Sequence, residues 1–551
     1  MENIKKENES KINLPIMVVP FTPQYVNPTP GELPLMAIGT PSGKQEFDAE
    51  TLAKMKNCGM NIAENILSNN ADVITQSILN GDAVGVKIMV RLSINKISVC
   101  SGTWDNVSLK ENNLPLVSPS DTSWSSFYLK WNNVVTKFKN HSAVAGWMIV
   151  DEPTVSDFWV VAECTKRIYE NVMNGDYSTA KKMLVFNNLL KNNIDLVTGS
   201  PSADEKNKNT RLFTLSGGFS TEKVVSCYTG VSQIKSYSDY LNLYCRLNGP
   251  SVLSVDAYPF SGLKYHYENS GIAVDISETN KKRDENLQSY YLTLMSFRDQ
   301  NIPFWSTVQT TVESTLESIE SLTQWVDKYP KPSLATIRYQ AFTALSFGAV
   351  GLSFWRFSDD KARENIKWTE SPLNASGINT PTFDYLKTVV DQIKEFQHIF
   401  LNATSVNPAL TEVKELSESV AGGDKSEENY IVQPQKTPGI NIIKLKDGAP
   451  TTTFSFIKSI KCSIFLDETE EVDGVTVVKK TDSPYGVLLS QIHTDKYEYL
   501  IVVNLNPEED CFLEMSFTTF VNDEMKPSPG GSNRYIGMIE PGDWHIFSRK
   551  K

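Results

Sequence analysis

Residues 145–153 read AGWMIVDEP, an apolar run that stops on two adjacent carboxylates, Asp151 and Glu152, and a proline. Set across a cleft the size of a sugar ring and flanked by aromatic platforms, two carboxylates can cleave a glycosidic bond: one protonates the leaving oxygen while the other attacks or activates water. Glu152 is the better acid of the pair. It follows a long apolar strand, so loss of water raises its pKa, and Pro153 fixes the backbone beside it. The plainer alternative is that Asp151 and Glu152 cap a helix beginning near Asp157.

Other polar and aromatic residues stand in equivalent places, each at the end of an apolar run: Glu64 and Asn65, Asn187 and Asn188, Asp256 and Tyr258, Gln309, and Trp355, Arg356 and Asp359. Trp305 lies within such a run. A ring of strand ends carrying acids, amides and aromatics defines one polar mouth, where a (β/α)8 barrel places its chemistry.

The elements that must position this ring alternate in the order of βα units. Segments 33–43 and 61–67 and the run VKIMVRLS read as strands, separated by amphipathic helices. In the first helix Asp48 is the N-cap, Leu52 and Met55 face inward, and Gly59 is the stop. The run VAGWMIVDEP is the fourth strand; KMLVFNNLL, SVLSVDAYPF, IPFWSTVQTT and VGLSFWRFSD complete eight, with apolar-periodic helices between them. The last helix places Leu386, Val389, Val390, Ile393 and Phe396 on one face. Beyond about residue 403 the pattern changes to short β-rich runs behind a polar stretch containing Gly and Pro. The expected architecture is an α/β (β/α)8 TIM barrel over 33–402, with a doubly wound open sheet as the competing arrangement, followed by an all-β, sandwich-like domain over 403–551. Residues 1–32 form an arm whose run 12–21 adds a strand to either part.

Composition narrows the function. The chain has 551 residues, 40% hydrophobic and 21% charged, with a net charge of -12, which argues against a nucleic-acid surface. Seven scattered cysteines without a CxxC pair form no disulfide framework, and five histidines without HxH or HExxH spacing argue against a catalytic metal. The segment GTPSGKQ (39–45) is one residue short of a phosphate loop and lacks Ser or Thr after Lys44, and no GxSxG elbow occurs. No cofactor is expected. Nothing is long enough to span a membrane, and the start MENIKKENES lacks an export signal's apolar core. A periplasmic or cell-surface location with the signal absent from this chain is expected, with the cytoplasm as the alternative.

Taken in order, GWMIVDEP, VDAYPF, IPFWSTVQ, ALSFGAVGLSFWRFS and the late MIEPGDWHIF resemble the clan A TIM-barrel glycoside hydrolases, in particular the beta-galactosidase-like barrels common in gut Bacteroidetes. The resemblance implies an oligosaccharide or polysaccharide substrate, with Glu152 as acid/base and a glutamate nucleophile ending strand seven. The chain departs twice: Asp151 replaces the usual Asn, and strand seven ends on Gln309, whose neutral amide cannot form a glycosyl-enzyme intermediate. Asp256, or Glu313 four residues beyond Gln309, is then the second carboxylate. Asp151, Asn187, Tyr258, Trp305, Gln309, Trp355 and Arg356 are expected to contact substrate. Without a second carboxylate the barrel binds carbohydrate and does not cut it.

Overall fold

The computed structural model describes residues 24–39, 47–64, 71–91, 134–153, 158, 161–162, 165, 169, 184–191, 237–260, 276–319, 322–363, 365–411, 442–443, 445–446, 449–450, 457–472, 475–482, 485–526 and 531–551. Asn65, the run 12–21, most of the 39–45 loop and the segment about Asp157 lie outside the described residues.

Eight parallel strands close a barrel: β1 (Leu35–Ile38), β2 (Ile62–Glu64), β3 (Lys87–Arg91), β4 (Val144–Asp151), β5 (Val185–Leu190), β6 (Leu253–Asp256), β7 (Phe304–Gln309) and, beyond the hairpin of β8 (Val312–Ile319) and β9 (Leu322–Asp327), β10 (Gly351–Trp355). Around the wall the order is β1, β10, β7, β6, β5, β4, β3, β2. A parallel sheet covered on both faces needs apolar residues on both, which is why these strands read as continuous runs. Alternation still sorts them. Met36, Ile38, Ile62, Met89, Met148, Leu184, Val252 and Trp305 fill the interior, while Leu35, Ala63, Val90, Trp147, Val255 and Val308 pack outward under the helices. Trp305 is the largest interior ring, and Gly351 leaves it room: a Cβ there would stand 2.7 Å from the indole.

Local signals set the helices. Asp48 accepts from the Thr51 amide at 2.7 Å to start Ala49–Asn57, which buries Leu52 and Met55, and Gly59 turns the chain at φ +95°. Helix Pro381–Leu401 docks through Leu386, Val389, Val390, Ile393 and Phe396, all buried. Among the described residues no helix is long and apolar enough to cross a membrane.

Two insertions rise from the mouth. The hairpin β8–β9 follows β7, and β11 (Asp360–Arg363) and β12 (Ile366–Thr369) follow β10; together they make an antiparallel sheet in the order β11, β12, β8, β9. A helix was expected alone between strands seven and eight, and it does occur, at Leu334–Ser346, but the hairpin precedes it. The segment VESTLESI has the periodicity of a helix face; pairing with β12, residue for residue from Val312↔Thr369 to Thr315↔Ile366, overrides it.

Among its described residues the C-terminal part is all β. It comprises β13 (Ser405–Thr411), the short β14 (Ile442–Ile443), β15 (Leu445–Lys446) and β16 (Ala449–Pro450), then β17 (Ile457–Val472), β18 (Val475–Asp482), β19 (Val487–His493), β20 (Tyr497–Asn504), β21 (Cys511–Asp523), β22 (Gly531–Ile539) and β23 (Trp544–Lys550). The two layers of this sandwich belong to one nine-stranded sheet. The long β21 joins them, pairing with β17 through Phe512–Phe517 and with β23 at Asn522 and Asp523. Between the layers lie Ile460, Leu489, Leu500, Val502, Leu513, Met515 and Phe547. The opposite face of β19, β20 and β23 packs on the barrel: Trp544 stacks on Phe342 at 3.9 Å between ring centroids and on Phe400 at 5.8 Å, and Arg338 pairs with Asp543 at 3.3 Å.

Candidate active site

The mouth is a change of chemistry along inward-facing positions. Below it the interior is mostly thioether and hydrocarbon; higher on the inward face stand Glu64 of β2, Arg91 of β3, Asn188 of β5 and Asp256 of β6, and a bulge beyond Met148 brings Asp151 of β4 level with Asn188. Arg91 organises them. Its guanidinium lies 3.3 Å from Glu64 and 3.1 Å from Asp151, and burial, which would release its proton, is outweighed by the charges of Asp151, Glu64 and Asp256. Asn188 donates to Asp151 at 3.5 Å and accepts from Ser254 at 2.5 Å, linking three neighbouring strands.

Proton affinities are pulled upward here. Glu64 is fully buried, and burial first, then the charge of Asp151, lifts it to about 7 against the opposing pull of Arg91. Asp256 is raised well above the usual carboxylate range, by burial and then by the negative charges of Asp151 and Glu152. Tyr258 donates its hydroxyl to Asp256 at 3.3 Å. Glu152 leaves the strand in the left-handed region at φ +46°, where a side chain is strained, held by its amide donating to the Asn188 carbonyl at 2.9 Å. Beyond it, the Pro153 carbonyl accepts from Tyr240 at 2.8 Å.

The structure thus brings together Asp151, Glu152, Asp256, Tyr258 and Trp355 about one mouth, and places the other expected site residues differently. Asn187 faces the wall and donates to Tyr244 at 2.8 Å; its neighbour Asn188 takes the inward place. Trp305 has the right facing but sits too deep, fully buried, with its indole N–H donating to Tyr25 at 3.3 Å across the barrel floor. Arg356 is 1% exposed, its Nε donating to the Ser358 carbonyl at 2.6 Å and its guanidinium 3.1 Å from Asp360, so it braces the wall beneath Trp368. Glu313 belongs to the hairpin, where Lys328 lies at 3.4 Å and the Trp368 indole donates to it at 3.2 Å. Asp359 accepts from the Ser371 amide at 2.9 Å and shapes a loop.

Gln309 is a brace. It is 2% exposed and donates its amide to the carbonyls of Thr311 at 2.7 Å and Pro330 at 3.0 Å, closing the base of the hairpin. A carboxylate at that position would face two carbonyl oxygens. Gln309→Glu is therefore expected to lower stability by about 2–4 kcal/mol for two lost hydrogen bonds and a badly placed acid, with no gain of hydrolysis. Thermal melts and a glycosidase assay on the variant check this; a stable variant with new turnover would sink the brace.

Arg91, which pairs with both Glu64 and Asp151, is a mouth residue that the sequence did not single out. A charged residue closing an apolar run, as in VKIMVR, is the same signal that drew attention to Asp151, and it marks Arg91 equally well. Trp368 and Tyr329 come from the insertions and carry no such mark.

Fold and mouth make this a (β/α)8-barrel protein with a carboxylate-lined crater and a packed C-terminal β-sandwich. No family model and no curated protein matches the sequence. Among solved structures, a catalytic mutant of a GH42 beta-galactosidase from G. stearothermophilus is similar at 9% identity and TM-score 0.48, over 96% of this chain and 100% of that one. A beta-galactosidase from Bacillus circulans sp. alkalophilus is similar at 10% identity and TM-score 0.46, over 94% and 99%. The family 1 b-glucosidase of Thermotoga maritima is similar at 9% identity and TM-score 0.36, over 66% of this chain and 99% of that one. At such identities no residue's role passes from those proteins to this one.

Proposed function

We propose that the chain is a glycoside hydrolase acting on an oligosaccharide or polysaccharide, with Glu152 and Asp256 as its working pair. The observation that carries this reading is the raised proton affinity of Asp256 beside a second carboxylate at one mouth. Asp256 is pushed far up by burial and by the charges of Asp151 and Glu152, while Arg91 pairs with Asp151 at 3.1 Å. A carboxyl whose hold on its proton is strengthened, set beside a second carboxylate, is the arrangement glycosidic cleavage needs. In this reading the proton rests on Asp256, which delivers it to the leaving oxygen, and Glu152, turned out of the strand, attacks or activates water. The sequence suggests the reverse assignment because it shows the apolar approach to Glu152 and hides the burial of Asp256.

Glu152→Gln is expected to lower kcat/KM on an activated aryl glycoside by about 10²- to 10⁴-fold, measured across a panel of 4-nitrophenyl hexosides and pentosides. Unchanged turnover would remove Glu152 from the mechanism. Gln309 favours a second reading, a silent barrel that binds carbohydrate, since the amide at the end of β7 is committed to backbone carbonyls. Binding to glycans with no release from any member of the panel would select it.

A further inference from the structure

The brace at Gln309 has a far end. One of the two carbonyls it holds belongs to Pro330, and the residue before it, Tyr329, lies edge-on to Tyr258 with ring centroids 5.2 Å apart and planes at 63°. Tyr258 in turn donates to Asp256. Three links in series, Gln309 to Pro330, Tyr329 to Tyr258 and Tyr258 to Asp256, tie the base of the β8–β9 hairpin to the acid. Pro330 is buried, whereas Tyr329 and Tyr258 are both only half-buried, so the clamp is covered and the rings beyond it are partly open.

A large aromatic ring with one open face, a polar tip and little side-chain freedom suits a flat ligand that is apolar on its faces and hydroxylated at its rim. A pyranose is such a ligand. Two tyrosines at an angle form a corner, and this corner stands one hydrogen bond away from Asp256. A sugar in that corner is the neighbour of the sugar whose bond Asp256 protonates.

We propose that Tyr329, seated by the Gln309 clamp, is an aromatic platform for the pyranose adjoining the reacting one, so that the hairpin gives the mouth a second sugar subsite. This rests on the carbohydrate reading of the mouth. It accounts for why a buried amide, and not an acid, ends β7: an amide can donate twice to backbone carbonyls, and a carboxylate cannot.

The test compares wild type, Tyr329→Ala and Tyr329→Phe by calorimetric titration with β-linked gluco-, xylo-, manno- and galacto-oligosaccharides of two to five residues and with the matching methyl glycosides. Kd is read directly, or KM where the ligand is turned over. The wild type is expected to bind at least one oligosaccharide more tightly than its methyl glycoside. Tyr329→Ala is expected to weaken that oligosaccharide about tenfold with the methyl glycoside unaffected, and Tyr329→Phe to retain the affinity, because the ring and not the hydroxyl makes the contact. If oligosaccharide affinity is the same in Tyr329→Ala, or if Tyr329→Phe loses as much as Tyr329→Ala, the platform is overturned and the carbohydrate reading stands. If no carbohydrate binds the wild type, both fall.

Discussion

Asp256→Asn is expected to lose about 10²- to 10⁴-fold in kcat/KM and, in the same protein, to melt at a higher temperature than the wild type. The two effects share one cause. Burial and the neighbouring charges of Asp151 and Glu152 raise the proton affinity of Asp256 in the folded state above that of the unfolded chain. A carboxyl shifted in this direction contributes its full stability below the unfolded pKa of about 4 and loses it as pH rises toward the folded value. Asparagine behaves as a permanently uncharged carboxyl, so the gain in melting temperature should be absent near pH 3 and grow as pH rises above about 4. Activity should run the opposite way, present only while Asp256 keeps its proton and Glu152 has lost one, which gives a bell with Asp256 on its alkaline limb. Calorimetric melts at pH 3, 5 and 7, together with a pH–rate profile, decide it. A variant that loses stability at pH 7 would show that the Asp256 charge is well accommodated and would take it out of the acid's role.

The second large effect is in the interface between barrel and sandwich. Trp544→Ala is expected to destabilise the protein by about 3–5 kcal/mol, the usual range for removing a large buried ring. Trp544 is 1% exposed, lies parallel to Phe342 with 7° between planes, and meets Phe396 edge-on at 6.1 Å. Phe342 is on helix Leu334–Ser346, and Phe396 and Phe400 are on helix Pro381–Leu401, so one side chain staples two barrel helices to β23. Two residues before Phe342 the same helix carries Gln340, whose side-chain oxygen accepts from the Gln309 backbone N–H at 3.0 Å. Denaturant unfolding of the variant measures the loss, and a change below about 1 kcal/mol would mean that the cavity collapses or that the two parts do not unfold together.

The barrel was largely legible in the sequence because a parallel strand buried on both faces must be an apolar run, and its polar terminator marks the mouth. Facing and depth were less legible. Asn187 and Asn188 are chemically identical, and only the register that sets Asn188 opposite Ser254 decides which one looks inward. Trp305 shares its strand and its facing with Gln309, but four residues along the strand separate the barrel floor from its rim. Arg356 follows a strand end like the others, yet its side chain is buried against Ser358 and Asp360 of the chain that follows. The hairpin β8–β9 was hidden because its pairing partner β12 lies more than forty residues away, and long-range pairing leaves no local trace.

The Gln309 brace also constrains how this sequence could change over time. Placing a glutamate at that position is one substitution, but its merit depends on what holds Thr311 and Pro330, whose carbonyls the present amide secures. A single step would spoil the hairpin before any new chemistry could appear, so a viable route requires the loop to be re-anchored first. Position 309 is therefore epistatic with its own loop, and directed evolution aimed at a nucleophile here should vary both together.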